Sequence, residues 1–137
     1  MTRSDFQQLA DVRIDEAGVL LVAGKWDGAY YLAGYAVECA LKACIARLTK
    51  EYDFPDKDRV LKSYSHDIEA LVRVASLTGL SAADTAANPI REGNWKIVKD
   101  WDEQARYQRW TEAEARRLFA AVMDPTNGVL PWILGHW

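Results

Sequence analysis

The feature that most constrains this chain is the stretch at residues 28–48, GAYYLAGYAVECALKACIARL, in which only Glu38, Lys42 and Arg47 are charged and no proline occurs. An apolar run of this length, free of turn residues, reads as a helix, because buried strands are far shorter. Ala29, Ala33, Ala36, Ala40 and Ala43 recur at spacings of four, three, four and three. That period puts them on one side of a helix and lets a neighbouring helix approach closely. The run nears the length of a membrane span, but Glu38 and Lys42 fall inside it, and two glycines and three tyrosines dilute it. A long apolar core helix is therefore expected, and no membrane association.

The flanking segments carry weaker helical signals. Ser4 followed by Gln7 has the form of a capping box, and Phe6, Leu9, Ala10, Arg13, Ala17 and Leu20 or Leu21 recur at three- and four-residue spacing. These predict a first helix over residues 5–22, closed by Gly24, with Asp27 capping the second helix. EYDFPDKDR breaks the pattern, so residues 51–65 are predicted as a charged loop around Pro55. Ser65 then caps a third helix with Asp67 in its first turn, inner positions Ile68, Leu71, Val72, Ala75 and Leu77, and an end at Gly79. SAADTAANPIREGN, residues 81–94, shows little periodicity and is predicted as a long connection, with Asn94 capping a brief helix that carries Trp95, Ile97, Val98 and Trp101. Thr111 with Glu114 forms a second capping box ahead of an amphipathic helix with Ala115, Leu118, Phe119 and Val122 inward. Asp124-Pro125 and Asn127-Gly128 stop it, and the apolar tail VLPWILGHW packs back. No strand-like alternation or internal repeat competes. The predicted fold is all-α, one domain over residues 1–137, an antiparallel four- to five-helix bundle around the long second helix.

Composition narrows the function classes. The chain is 50% hydrophobic and 27% charged, enough for a self-sufficient core. Its net charge of −3 is evenly spread, which excludes nucleic-acid binding through an overall basic field. Cys39 and Cys44 lie five apart in one helix, about 140° around it and about 7.5 Å along it, so they cannot bridge each other. Only His66 and His136 are available as imidazole ligands, so no metal site is expected. Reduced thiols and the lack of a signal-peptide run in MTRSDFQQLADVR imply a cytoplasmic protein. HExxH, a phosphate-cradling glycine loop, EF-hand spacing and a Ser/His/Asp order are all missing, and no cofactor is expected.

Three constellations remain. Tyr31, Tyr35, Glu38 and Lys42 share one helical face, either as an internal ion pair of Glu38 with Lys42 or Arg106, or as a polar ligand-binding face. Trp95, Trp101, Trp110, Trp132 and Trp137 crowd the last 43 residues beside Lys96, Lys99, Arg106 and Arg109, but Asp100, Asp102, Glu103, Glu112 and Glu114 cancel that field. Core or dimer packing is the better account of these tryptophans. Arg59 and His66, with six residues between them, are a possible cleavage pair, His66 as general acid or base and Arg59 stabilising charge on phosphorus. The alternative is that His66 merely orders a helix start.

The run AGKWDGAYYLAGYAVECALKACIARL, then SYSHDIEALV, then WKIVKDW with Glu103 and the ARY triplet ahead of the last long helix, resembles the HEPN domain of prokaryotic defence and toxin–antitoxin systems over residues 17–121. The resemblance implies a small helical homodimer, often made beside a minimal nucleotidyltransferase. Many members are metal-independent endoribonucleases whose Arg and His, a few residues apart, meet their counterparts across the dimer interface. In this sequence Arg106 stands where the family arginine is expected, but YQRWTEAEA follows it without a histidine, and only Arg59 and His66 keep a suitable spacing. The expectation is a dimerising module that binds a nucleotidyltransferase-like partner and a nucleotide through Tyr31, Tyr35, Glu38, Lys42 and Arg106. The alternative is a divergent metal-independent endoribonuclease using Arg59 and His66.

Overall fold

The computed structural model describes residues 1–49 and 53–137, all of whose regular structure is helical. Helices α1 (Arg3–Val22) and α2 (Trp26–Arg47) run antiparallel, so that the start of α1 borders the end of α2. Between them Gly24 takes φ 75°, a left-handed conformation that glycine adopts without a Cβ penalty, and the Lys25 amide donates back to the Leu20 carbonyl at 2.8 Å. Then follow α3 (Lys57–Lys62), α4 (Ile68–Val74), α5 (Thr78–Ala87), α6 (Pro89–Lys99), a 3-10 turn (Glu103–Tyr107), α7 (Glu112–Met123) and α8 (Val129–Leu134).

Helix α2 is the axis of the bundle: α1, α4, α7, α8 and the 3-10 turn all pack on it. The five alanines of its small-residue stripe are fully buried, which lets neighbouring backbones come close. Gly34 carries the same logic further, since the Trp101 indole lies where a Cβ would stand. Val37 and Leu41 of α2, Ile68 and Leu71 of α4, Val98 of α6, Leu118 and Val122 of α7 and Ile133 of α8 join one apolar cluster. Each such side chain contributes about 1.5–3 kcal/mol by leaving water. Among the described residues, no helix is long and apolar enough to cross a membrane.

Several boundaries differ from the sequence expectation for local chemical reasons. Helix α1 starts earlier, because Thr2 and Asp5 form the capping box instead of Ser4 and Gln7, the Thr2 amide donating to Asp5 Oδ2 at 2.7 Å. Asp27 does not cap α2. Its carboxylate accepts from the Trp110 amide at 2.6 Å and pairs with Arg109 at 2.7 Å, while α2 begins at Trp26. Asp67, not Ser65, caps α4, accepting from the Ala70 amide at 2.7 Å. That helix ends before Ser76, which takes φ 60°, and Gly79 lies inside α5.

The largest correction is at residues 81–94, which belong to α5 and α6 and not to a long connection. Helix α5 buries none of its residues, so it lacks the apolar period that would reveal it. It is tied down instead by Asp84, which pairs with Arg91 at 2.6 Å, and Arg91 also donates to the Thr126 carbonyl at 2.8 Å. Asn88 caps α6 with Pro89 next in line, while Asn94 lies within α6 and donates to the Asn127 carbonyl at 2.9 Å. The predicted loop around Pro55 contains α3, capped by Asp56, and its residues 51 and 52 lie outside the described residues. The bundle thus has eight α-helices among the described residues, against the four or five predicted. The Thr111–Glu114 box, the buried Trp95 and Trp101, and the tail packing back through Val129, Leu130 and Ile133 match the expectation.

Candidate functional site

Tyr31, Tyr35, Glu38 and Lys42 follow one another along α2 at helical spacing. Glu38 is the charged side chain the fold buries among the described residues, at 2% exposure. A carboxyl held away from water needs partners. Its Oε1 accepts from Lys42 Nζ at 2.9 Å and lies 2.9 Å from His66 Nδ1, whereas Oε2 has no hydrogen-bond partner in the protein. Of the two pairings open to Glu38 in the sequence, the structure makes the one with Lys42 and not the one with Arg106.

His66 reaches Glu38 from the turn ahead of α4. That turn is shaped by Ser65 Oγ, which accepts from the Asp67 amide at 3.1 Å, and by the Asp67 cap. On its other edge, His66 Nε2 is 3.3 Å from Glu103 Oε2 but is not aligned with it as a hydrogen bond. The imidazole, 48% exposed, therefore sits between two carboxyl groups. These two approach opposite ring nitrogens, so the three side chains do not converge on one point. Among the described residues, no group of three or more His, Cys, Asp or Glu is placed to hold a metal ion.

Glu103 and Arg106 come from the 3-10 turn, which Trp110 fixes against α2. Its indole Nε1 donates to the Ala105 carbonyl at 3.0 Å, and its ring stacks on Tyr30 at 3.6 Å between centroids and 10° between planes. At this end Tyr31 stacks on Tyr35 at 5.9 Å and on Trp101 at 6.0 Å. The Arg106 guanidinium lies 5.0 Å from the Tyr107 ring centre. The neighbouring Tyr107 and Tyr31 phenols hold it still more firmly protonated. Burial pushes the Tyr35 phenol up to about 12 and the Cys39 thiol to about 11, so both stay neutral near pH 7. A thiol so disfavoured as thiolate is a poor nucleophile.

Arg59 comes from a different element. It rides on α3 and lines a groove with Lys42 and Arg47, and among the described residues no hydrogen bond or ion pair joins it to His66. The structure thus gathers Tyr31, Tyr35, Glu38, Lys42, His66 and Arg106 along one side of α2, and among the described residues makes no bond between Arg59 and His66. Sequence reading missed Glu103 and Tyr107 as neighbours of this face, weighing Glu103 only as a charge that offsets nearby cations. No fixed spacing links either residue to α2, so no local signal could have found them. What the face can do chemically is bind: cations and aromatic rings suit a phosphorylated, planar ligand. A scan against protein-family models and searches of curated proteins and of solved structures found no match for this chain.

Proposed function

We propose that the chain is a HEPN-like helical module that dimerises and binds a protein partner of minimal nucleotidyltransferase type in a toxin–antitoxin or defence setting. In this reading it takes a nucleotide on the face of Tyr31, Tyr35, Lys42 and Arg106, and it works in the cytoplasm, where the free thiols of Cys39 and Cys44 stay reduced. The supporting observation is how His66 is committed. Its Nδ1 lies against buried Glu38, and among the described residues no hydrogen bond or ion pair joins it to Arg59, which lines grooves on both flanks of α3. An endoribonuclease using Arg59 and His66 would need the two at one phosphate. Binding does not. Arg106, exposed beside Tyr31 and Tyr107, and Lys42 supply charge next to stacking surfaces.

The test has two arms. Calorimetric titration with AMP and ATP is expected to show binding that Arg106→Ala weakens about tenfold, the loss of one charge-assisted contact. Co-expression with the neighbouring open reading frame, followed by size exclusion, is expected to yield a dimer carrying its partner. A monomer that captures no partner and binds no nucleotide overturns the reading. Cleavage of a mixed RNA in excess chelator, lost in His66→Ala and in Arg59→Ala, would replace it with the ribonuclease.

A further inference from the structure

We propose that the groove between the start of α1, the end of α2 and α3 is a phosphate-binding site, in which Lys42, Arg47 and Arg59 grip the phosphates of a free nucleotide or of an RNA strand. The inference extends the nucleotide part of the reading above to a second place on the molecule, which adjoins the first at Lys42. It stands without the protein partner and without any role of Tyr31, Tyr35 and Arg106.

The groove has a volume of about 780 Å³, and its described lining includes Arg3, Lys42, Arg47 and Arg59 but no carboxylate. In a chain of net charge −3 this is a marked local imbalance. Low-dielectric walls, here Phe6, Ile45 and Val60, focus such a field and raise the local concentration of anions. The volume suits a ligand of nucleotide size.

The cations differ in what already occupies them. Arg47 donates to the His136 carbonyl at 2.8 Å, an acceptor without formal charge, so its position is fixed while its charge is left uncancelled. Arg3 donates to the Trp137 backbone oxygen and serves to dock the last residues. Lys42 gives one hydrogen to Glu38 and keeps the rest of its ammonium for another acceptor. Arg59 is half-buried, yet among the described residues its guanidinium has no hydrogen-bond or ion-pair partner. A purely structural account explains Arg3 and Arg47 and leaves Arg59 over. Arg59 also borders the neighbouring groove on the far flank of α3, where the carboxylates are already engaged, Asp56 capping the helix and Asp58 paired with Lys62 at 2.7 Å. At the α1 start Thr2 and Asp5 satisfy each other, the Thr2 amide donating to Asp5 Oδ2 and the Asp5 amide to Thr2 Oγ1. The site is built from side-chain cations, and arginine forks match phosphate oxygens in pairs.

The test is isothermal titration of the full chain with inorganic tripolyphosphate, ATP and a short single-stranded RNA, for the wild type, Arg59→Gln and Lys57→Gln. Lys57 is exposed on α3 outside the groove, so its substitution removes the same charge without touching the site. Thermal melting by circular dichroism establishes that both variants fold. At least one of the three ligands is expected to bind, more weakly as salt rises. Arg59→Gln is expected to weaken that binding about tenfold and Lys57→Gln less than twofold, one charge-assisted contact against a distant surface charge. Equal binding of tripolyphosphate and ATP identifies free polyphosphates as the source. Binding of the RNA alone identifies a strand. Tripolyphosphate has no base to stack, so its retention in Arg106→Ala keeps this site standing even if the Tyr31–Arg106 face fails. No binding of any ligand, or equal weakening by Arg59→Gln and Lys57→Gln, overturns the proposal.

Discussion

The two sides of α2 solve opposite problems with the same backbone. One side carries small residues, with Ala29, Ala33, Ala36, Ala40 and Ala43 fully buried, and its task is close approach. The other carries Tyr31, Tyr35, Glu38 and Lys42, and its task is to hold polar groups at a defined place at the edge of the core. The small-residue side tolerates little added volume, because a packed interior has no spare space. The polar side is sensitive to lost partners, because a buried charge without an acceptor or donor is costly. The comparison teaches that rigidity on one side is what allows a carboxyl to be buried on the other.

Removing Glu38 should have the largest effect. Glu38→Ala strands Lys42 and His66 and is expected to destabilise the fold by about 3–5 kcal/mol in denaturant unfolding. The double variant Glu38→Leu with Lys42→Met should recover most of that loss. If Glu38→Ala alone costs less than about 1 kcal/mol, the polar side is solvated and the contrast fails. Adding a single methyl at Gly34, one helical turn from Tyr31 and Glu38, comes next: Gly34→Ala forces Trp101 to move and is expected to cost about 1–3 kcal/mol. Near-UV circular dichroism should report the displaced tryptophan.

Alkaline pH should then weaken both sides together. Burial raises the Tyr30 and Tyr35 phenols from 10.0 to about 12 and the Cys39 and Cys44 thiols from 9.0 to about 11. These acids ionise first in the unfolded chain, so their contribution is whole below about pH 9 and is lost as pH rises through the folded values. The melting temperature is expected to fall steadily above pH 9, and native Cys39 and Cys44 should resist alkylation until the protein unfolds. A melting temperature unchanged to pH 11 would contradict their burial. The smallest expected effect on stability belongs to Arg106→Ala, which should stay within about 0.5 kcal/mol because the side chain is exposed, while ligand binding drops. A variant that unfolds instead would make Arg106 part of the scaffold and erase the division between the two sides.

Helices whose apolar period faces a core are legible in the amino-acid sequence. The Ala29-to-Ala43 stripe, the Leu118 and Val122 face and the Thr111–Glu114 box all encode their own environment within a few residues. Helix α5 is not legible in this way, because it buries nothing and is anchored by Asp84, Arg91 and Asn88, whose bonds span other segments. The same distinction runs through the candidate site. Glu38 with Lys42 at one helical turn is legible as a pair, whereas His66 and Glu103 at its flank are not, since neither has a fixed spacing from α2.

By itself, then, the sequence determined that the chain is helical, that the run through Ala29 and Ala43 is enclosed, and that its tyrosines, Glu38 and Lys42 share a side, because period and local hydrogen bonding act over one or two turns. Tertiary structure alone decided that Asp27 holds Trp110 and does not cap α2, that His66 lies against Glu38, and that Arg59 joins Lys42 and Arg47 across a groove. The physical reason is that a polar group satisfies its hydrogen bonds with whatever packing brings near, and which distant segments come near is set by burial of the whole core.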